Sequence, residues 1–438
     1  MNLKIRLALL SFLEFAVWGA YLTSMGSYVA EIGHGDMIWL FYASQGFVSI
    51  FMPALIGIIA DKWIPAQKLL SICHAICGLF MLSAGYYAMT SGTQMQFGIF
   101  YCLYLVSVAF FMPTIALSYS VAYNVLERNG MDPVKDFPPV RVWGTVGFIV
   151  SMLAVNFATN ASGVQFQHSY EQFLVSGAVS IVLCGFALTM PNCPCQPKNA
   201  KVQTFAEASG LSAFKLFKQR HFALFFIFAM LLGVSLQITN GYANDFISSF
   251  RNSTDTAIAN SWGAHNANAL ISLSQISETL CILLIPFFMK RFGIKTVMLI
   301  AMLAWVIRFG FFGLGNPAGG VWLFILSCIV YGVAFDFFNI SCSLYVNEHA
   351  DKDIRSSAQG LFFLMTNGLG ASIGTWGAGI VVNHFVYNTQ TPDWSTAWYI
   401  FAAYALVVAV LFALVFRVKK PIASHSDGGN KKSPLEEI

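Results

Sequence analysis

Long apolar runs dominate the chain, and short clusters of charged residues, Gly, Pro and Asn separate them. A helix needs about 20 apolar residues to cross a bilayer, and the runs and their interruptions predict twelve such helices in this chain. The first run follows Lys4 and Arg6 but stays apolar for too long to be the core of a signal peptide, so it is predicted as a helix. The predicted segments are 5–30, 37–60, 68–89, 95–125, 139–160, 169–190, 222–250, 266–289, 294–314, 321–346, 358–385 and 394–417.

The composition favours the same class. Of 438 residues, 57% are hydrophobic and only 10% are charged, whereas soluble domains carry about 25% charged residues. The high apolar content excludes a disordered chain, and the Cys residues are scattered rather than arranged as a disulfide framework. The sequence therefore predicts an all-α membrane protein.

The distribution of basic residues predicts its orientation, because cytoplasmic loops carry an excess of Lys and Arg. If the N-terminus is cytoplasmic, all of the 24 Lys and Arg residues except Arg251 and Arg308 fall on the cytoplasmic side. Moving one helix boundary would destroy this agreement. The pattern therefore predicts a multi-pass protein of the cytoplasmic membrane with both termini in the cytoplasm.

The loops predict how the helices are grouped. The longest and most basic connection lies between the sixth and seventh segments, and six plus six helices joined by a central loop is the arrangement of major facilitator transporters. The loop after the second segment carries Gly57 and Asp61-Lys62, which resembles a motif of that superfamily. The predicted parts are an N-terminal six-helix half at 1–190, a cytoplasmic linker at 191–221, a C-terminal six-helix half at 222–417 and a disordered cytoplasmic tail at 418–438.

Four ionisable residues stand out inside predicted helices, namely Glu14, Glu278, Arg308 and Asp336. An ionisable side chain at the centre of a membrane helix costs about 2.5–3.5 kcal/mol on insertion scales, so each one requires a reason. A structural ion pair is one reason and a functional site is the other. The functional interpretation is favoured for Glu278 and Asp336, which lie in the middle of their segments.

Spacing strengthens this interpretation, because residues three or four apart share one face of a helix. The fifth, seventh, eighth and tenth helices each carry a polar or polar-aromatic stripe, which lipid cannot satisfy. Hydrogen bonding between helices for packing alone explains single polar residues, but it explains carboxylates combined with a guanidinium and aromatic rings poorly. The stripe residues are Arg141, Thr145, Phe148, Gln237, Asn240, Gln275, Glu278, Tyr331, Phe335 and Asp336.

These side chains suit a small polar solute. Amides match the edge of a nucleobase, carboxylates accept hydrogen bonds from sugar hydroxyls, and aromatic rings stack on a flat base, so a nucleoside fits and a sugar fits nearly as well. The chain carries no phosphate-binding Gly-Lys-Ser/Thr loop, no nucleophile–base motif and no zinc signature. We therefore expect no enzyme, no ATP-driven pump, no metal or other cofactor, and no nucleic-acid partner.

Several stretches resemble the bacterial nucleoside:proton symporters, the nucleoside permease family of the major facilitator superfamily. The resemblance runs from the N-terminus to the twelfth helix and leaves out the central loop and the tail. It implies a twelve-helix fold in the inner membrane, a monomer, nucleoside and proton as transported partners, and substrate contacts at the ten stripe residues. The resembling stretches are Phe51–Gly57, Ala60–Trp63, Asp136–Phe148, Leu236–Asn240, Ser274–Thr279, Tyr331–Ser341, Ser357–Gly360 and Met365–Gly368.

The mechanism that follows is proton-coupled nucleoside uptake by alternating access. Asp336 or Glu278 is the expected proton carrier, with Glu14 as a third candidate, and Arg141 or Arg308 is the expected counter-charge. A proton-linked symporter of sugars or other small polar solutes on the same fold is the alternative. A membrane receptor that binds without transport is less favoured.

Overall fold

The computed structural model describes residues 2–195, 204–208, 211–282, 284–350 and 355–416. Apart from one isolated β-bridge between Thr159 and Gln165, the regular structure within these ranges is helical, which confirms the predicted all-α class. The predicted disordered tail lies outside the described residues, as do 196–203 and 209–210 of the predicted linker.

Helices follow one another along the described chain with short connections between them. Nine of the helices in this part of the chain are long and apolar enough to cross a membrane unaided. The α-helices are α1 (Leu3–Gly19), α2 (Met25–Glu31), α3 (Ile38–Lys62), α4 (Ala66–Ser91), α5 (Phe97–Arg128), α6 (Pro133–Phe157), α7 (Glu171–Leu188), α8 (Phe205–Ala208), α9 (Arg220–Ser249), α10 (Thr256–Ala259), α11 (Trp262–His265), α12 (Ala267–Ile282), α13 (Ile285–Leu314), α14 (Val321–His349), α15 (Arg355–Phe363), α16 (Ala371–Val382) and α17 (Trp394–Val415). Short 3-10 helices lie at Gly35–Met37, Gly92–Gln94, Phe166–His168, Leu211–Lys218 and Phe250–Asn252, and π-helical turns lie at Leu364–Gly370 and Asn383–Tyr387.

Three of the twelve predicted segments form helices with an interruption. The eighth segment is α12 with the start of α13, and the eleventh is α15 and α16 with a π-helical stretch between them. The prediction of an unbroken first helix is wrong, since the chain leaves the helix after Gly19 and resumes it at Met25. A contact with another helix accounts for the break, because the Leu22 carbonyl accepts a hydrogen bond from the Tyr42 hydroxyl of α3 at 2.6 Å.

A glycine separates the eighth and ninth predicted segments. Gly293 lies inside α13 with a φ of 74°, a left-handed conformation that glycine adopts without steric cost. This turn falls between residue 289, where the eighth predicted segment ends, and residue 294, where the ninth begins. The part of α13 after Gly293 is therefore the ninth segment.

The long helices form two bundles, one before and one after residues 191–219. In the first bundle α1 packs on α6, and α4 packs on α5 and α7. In the second bundle α13 packs on α14 and α17, and α14 also packs on α12. We call these bundles the first half and the second half.

The two halves meet toward one end of the molecule. We call the end where α1 begins and α17 finishes the terminal end, and the opposite end the distal end. Contacts between the halves join α3 to α16, α6 to α12 and α2 to α9. One large cluster of buried apolar residues extends through both halves, whereas at the terminal end a second cluster, within the described ranges, draws only on the first half. The halves thus share one apolar core, and the second cluster, at the terminal end, belongs to the first half.

Within the first half, α1 and α6 approach so closely that only glycine fits at two positions. A Cβ atom added at Gly147 would lie 2.1 Å from the Phe12 carbonyl oxygen, and one added at Gly19 would lie 2.4 Å from the Phe148 carbonyl oxygen. The two contacts are reciprocal, because each helix offers a glycine to the backbone of the other. They hold α1 and α6 as one rigid unit.

We expect Gly147→Ala to lower the melting temperature, because the added methyl group must push α1 away from α6, and overpacking of this kind costs about 1–3 kcal/mol. Thermal unfolding of the purified protein in detergent measures the effect. Gly98→Ala is the matched control, since a Cβ atom there meets no atom within 4 Å. Equal melting temperatures for the two variants would show that the contact between α1 and α6 is not tight.

Candidate functional site

The ten predicted stripe residues come from helices that meet where the two halves face each other. Helix α6 contacts α12, and α12 in turn contacts both α9 and α14. Within this group Phe148, Tyr331 and Asp336 are buried. The half-buried members are Arg141, Thr145, Gln237, Asn240, Gln275, Glu278 and Phe335.

Charges of opposite sign face each other across this boundary. Arg141 of the first half interacts electrostatically with Glu278 and with Asp336 of the second half, and the two carboxylates also interact with each other. Asp336 is 5% exposed, and its Oδ2 atom has no hydrogen-bond partner among the described residues. One cation therefore faces two carboxylates, of which one is incompletely satisfied.

Aromatic side chains of the first half orient Arg141. Its guanidinium carbon lies 4.0 Å from the centre of the Phe15 ring, a cation–π distance. Its Nε atom donates a hydrogen bond to the Tyr119 hydroxyl. Neither partner is a carboxylate, so the charge of Arg141 remains available to the second half.

Aromatic rings also line the second-half side of the boundary. The rings of Tyr331 and Phe335 are stacked, with centroids 5.7 Å apart and planes 6° from parallel, and Trp305 meets Tyr331 edge-on at 5.9 Å. A small cavity of about 20 Å³ adjoins Phe335 and is bordered by Asn339 and Asn367. The sequence reasoning did not select these two asparagines, although Asn339 lies three residues after Asp336 and so shares its helix face.

Glu14 lies elsewhere, inside the first half. It is 1% exposed, its Oε2 atom is 2.9 Å from Nε2 of His74, and its Oε1 atom accepts a hydrogen bond from the Thr114 hydroxyl at 2.6 Å. Nδ1 of His74 lies 3.0 Å from the Ser180 hydroxyl. Both carboxylate oxygens of Glu14 are therefore engaged by helices of its own half.

The sequence reasoning also missed a carboxylate near the distal end. Asp245 of α9 is 5% exposed and accepts a hydrogen bond from the Tyr387 hydroxyl. It borders a distal cavity of about 590 Å³, beside an ion pair between Arg251 and Glu31 that joins the two halves. An Asp inside an apolar run was the available signal, but its position close to the end of that run concealed it.

A group of amide and hydroxyl side chains closes the distal end between the halves, and we call it the distal latch. Its members are buried, and the hydrogen bonds between the halves measure 2.8 to 3.4 Å. Because the partners are neutral, each can exchange its protein bond for a bond to water at small net cost. The bonds run from Thr23 to Asn268, from Asn156 to Asn266, from Gln167 to the His265 carbonyl, and from Asn244 to Gln167.

His168 belongs to the same closed region. Its Nδ1 atom lies 2.8 Å from the Ser27 hydroxyl, while its Nε2 atom is buried without a partner among the described residues. Burial first, and then the nearby Arg251 and His265, lower the pKa of His168 to about 3. The imidazole is therefore neutral while the latch is closed.

Comparisons with known proteins find similar chains over nearly the whole sequence. The family model described as Nucleoside H+ symporter matches residues 1–421. Xanthosine permease of Escherichia coli K12 is 44% identical over 420 residues, which is 95% of this chain and 96% of that protein. Nucleoside permease NupG of the same strain is 44% identical over 422 residues, which is 96% of this chain and 97% of that protein.

Solved structures give the same result at the level of the fold. A crystal structure of the nucleoside transporter NupG matches with a TM-score of 0.85 and 43% identity, and the match covers 96% of this chain and 100% of that one. The xylose transporter XylE from E. coli matches with a TM-score of 0.62 and 13% identity over 94% of this chain and 100% of that one. The similarity to XylE shows only that the two chains share a fold.

We expect acid to open the distal latch through His168. Protonation is unfavourable in the closed state and occurs near the ordinary histidine pKa of about 6.5 once water reaches the ring. The closed state is therefore fully stable above about pH 6.5 and loses up to about tenfold in population per pH unit below it. Spin labels at the exposed residues Ser162 and Asn260 report the opening as a change in electron–electron distance between pH 7.5 and 5.0.

His168→Gln is the variant that removes the titrating group from the latch. Its opening should respond less to acid than that of the unmodified protein, whereas His384→Gln, at an exposed imidazole, should leave the response unchanged. An identical pH response in the His168→Gln protein would contradict the prediction.

Proposed function

This chain belongs to the nucleoside H+ symporter family, and we propose that it imports nucleosides together with protons by alternating access, with both termini in the cytoplasm. The family membership and the 44% identity to NupG support proton-coupled nucleoside transport by an integral inner-membrane protein that is not an enzyme. In this proposal the halves 1–190 and 222–417 are the moving units, and the protein acts as a monomer. The cytoplasmic location of both termini is inferred from the distribution of Lys and Arg.

The electrostatic interaction of Arg141 with Glu278 and Asp336 across the two halves is the observation that carries the proposal. A nucleoside bound at this boundary contacts both halves at once, as alternating access requires. Its ribose hydroxyls donate to the carboxylates, its base edge pairs with the amides of Gln237, Asn240 and Gln275, and its base stacks on the rings of Tyr331, Phe335 and Phe148. Thr145 adds a hydroxyl partner on the first-half side.

Asp336 and Glu278 are the proposed proton carriers. A buried carboxylate with an oxygen that lacks a partner costs free energy as long as it is charged, and a bound proton removes that charge. Protonation also ends the repulsion between the two carboxylates, so the halves can close around a neutral site. Glu14 is the third candidate, and the engagement of both its oxygens by His74 and Thr114 makes it the weaker one.

The state described here fits the final step of import. The distal latch is closed by its hydrogen bonds between the halves, and the terminal end is the cytoplasmic end in this proposal. Substrate and proton leave on that side, and opening of the latch resets the transporter. The driving force is the inward proton gradient.

Uptake of radiolabelled uridine and adenosine into proteoliposomes tests the proposal. Accumulation above the equilibrium level is expected only with an imposed inward proton gradient. Asp336→Asn and Glu278→Gln each remove an ionisable oxygen, so we expect gradient-driven accumulation to be lost while exchange of preloaded nucleoside continues. Glu127→Gln, at an exposed carboxylate near the end of α5, is the control.

Each part of the proposal has its own contrary outcome in this assay. Full accumulation by both carboxylate variants would exclude Asp336 and Glu278 as carriers. Accumulation of a sugar but of neither nucleoside would show that the substrate is a sugar and not a nucleoside. Binding of a nucleoside without any uptake would favour a receptor that does not transport.

A separate variant tests Glu14. Glu14→Gln keeps an acceptor for Thr114 but disturbs the bond to His74, and loss of one buried hydrogen-bond partner costs about 1–3 kcal/mol. We therefore expect a lower melting temperature in detergent and gradient-driven accumulation equal to that of the unmodified protein. Loss of accumulation with an unchanged melting temperature would make Glu14 the proton carrier instead.

A further inference from the structure

A guanidinium lies buried in the second half, behind the aromatic rings that border the boundary. Arg308 of α13 is 0% exposed, and in the described part of the chain no carboxylate oxygen lies within 4.0 Å of it. Its Nη2 atom has no hydrogen-bond partner there. A buried cation with an unmet donor destabilises a membrane protein, so stability does not account for this residue.

The bonds that Arg308 does make reach three other helices. Nη1 donates to the Ser327 carbonyl of α14 at 2.7 Å and lies 3.4 Å from the Ser274 hydroxyl of α12. Nε lies 3.4 Å from the Thr239 hydroxyl of α9. One side chain of α13 therefore connects the three second-half helices that carry proposed substrate contacts.

Each of these bonds ends beside a proposed contact. Thr239 precedes Asn240, and Ser274 precedes Gln275 in the chain. Ser327 lies one helical turn before Tyr331, since residues four apart share a helix face. The guanidinium thus contacts a residue close to a proposed substrate contact on each of three helices.

Arg308 also supports the aromatic surface directly. Its guanidinium carbon lies 4.6 Å from the centre of the Tyr331 ring, within the range of a cation–π contact. The Tyr331 ring stacks on Phe335, and its hydroxyl interacts with the Gln275 side chain. The guanidinium and Phe335 together fix the plane of the Tyr331 ring.

We propose that Arg308 is a positioning residue for nucleoside binding, which holds α9, α12 and α14 in register and orients Tyr331 toward the substrate. This inference rests on the proposed function, because it concerns the nucleoside contacts of the same site. Arginine suits the task because its planar group presents five donors in a fixed fork, whereas lysine offers a single point charge. Arg308 itself touches neither substrate nor proton.

The experiment compares Arg308→Met and Arg308→Lys with the unmodified protein. Methionine fills the space without a charge, so the melting temperature should stay the same or rise, while equilibrium binding of radiolabelled uridine to the purified protein should weaken at least tenfold. The maximal uptake rate at saturating uridine should fall less than threefold, because no group of the proton pathway is removed. Lysine keeps the positive charge but lacks the planar fork of donors. The uridine affinity of Arg308→Lys should therefore lie between those of the unmodified protein and Arg308→Met.

Two controls separate positioning from folding. Arg291→Met changes an exposed arginine whose guanidinium carbon lies 5.7 Å from the centre of the Phe292 ring, and it should bind uridine as the unmodified protein does. The second control is the double variant Arg308→Met with Gln275→Ala. Its loss of uridine affinity should be no larger than the loss in whichever single variant binds uridine more weakly. The two losses are not additive because Arg308 acts through Gln275 and Tyr331.

Unchanged affinity in Arg308→Met, or additive losses in the double variant, would overturn the proposal. A lower melting temperature in parallel with the loss of affinity, in both Arg308→Met and Arg308→Lys, would assign Arg308 a structural role and also overturn it. If Arg308→Met does not fold, Arg308→Lys and its double variant with Gln275→Ala decide the question. Failure of the unmodified protein to bind any nucleoside would count against the proposed function instead.

Discussion

Hydrocarbon neither forms hydrogen bonds nor solvates charge, and the placement of ionisable side chains in this molecule follows from that constraint. Inside the first half, both carboxylate oxygens of Glu14 have partners, His74 and the Thr114 hydroxyl. Inside the second half, the Arg308 guanidinium donates a hydrogen bond to the Ser327 carbonyl and makes a cation–π contact with the Tyr331 ring. The carboxylates of Glu278 and Asp336 lie at the boundary between the halves, and Oδ2 of Asp336 has no hydrogen-bond partner among the described residues. The boundary is therefore where a ligand, a proton or Arg141 can complete what the fold leaves unsatisfied.

The same constraint divides the molecule into rigid and yielding parts. Contacts within a half are close helix packings, such as Gly147 against the Phe12 carbonyl, and they cannot open without losing many van der Waals contacts. The distal latch is made of neutral amides and hydroxyls, and each of its hydrogen bonds is worth only about 0.5–1.5 kcal/mol against water. Thr23 and Asn268 can therefore part while α1 and α6 remain together. The boundary also contains close packing, such as Gly26 of α2 against the Gly241 carbonyl of α9, and the exchangeable hydrogen bonds of its latch suit alternating access.

Sequence reasoning reached the all-α class because helices depend on local periodicity, and its predicted stripes, such as Gln275 and Glu278 on one helix face, rest on the same signal. It did not reach contacts that join distant parts of the chain, such as Glu14 with His74, since spacing carries no record of tertiary pairing. The break after Gly19 depends on the Tyr42 hydroxyl of another helix and was invisible for the same reason. Asn268 of the latch gave no signal because amides near helix ends are common, whether or not they bridge two halves.

In the proposed mechanism, the distribution of charge between the halves connects the proton to the movement. By formal charge, Glu278 and Asp336 carry two negative charges when both are ionised. Arg141 compensates one of these charges only while its guanidinium faces the pair. When the halves move and Arg141 withdraws, a single proton on either carboxylate restores the same net charge. Proton binding and the approach of Arg141 thus meet one electrostatic demand in two ways, and a nucleoside hydroxyl bound to a carboxylate shifts the balance between them.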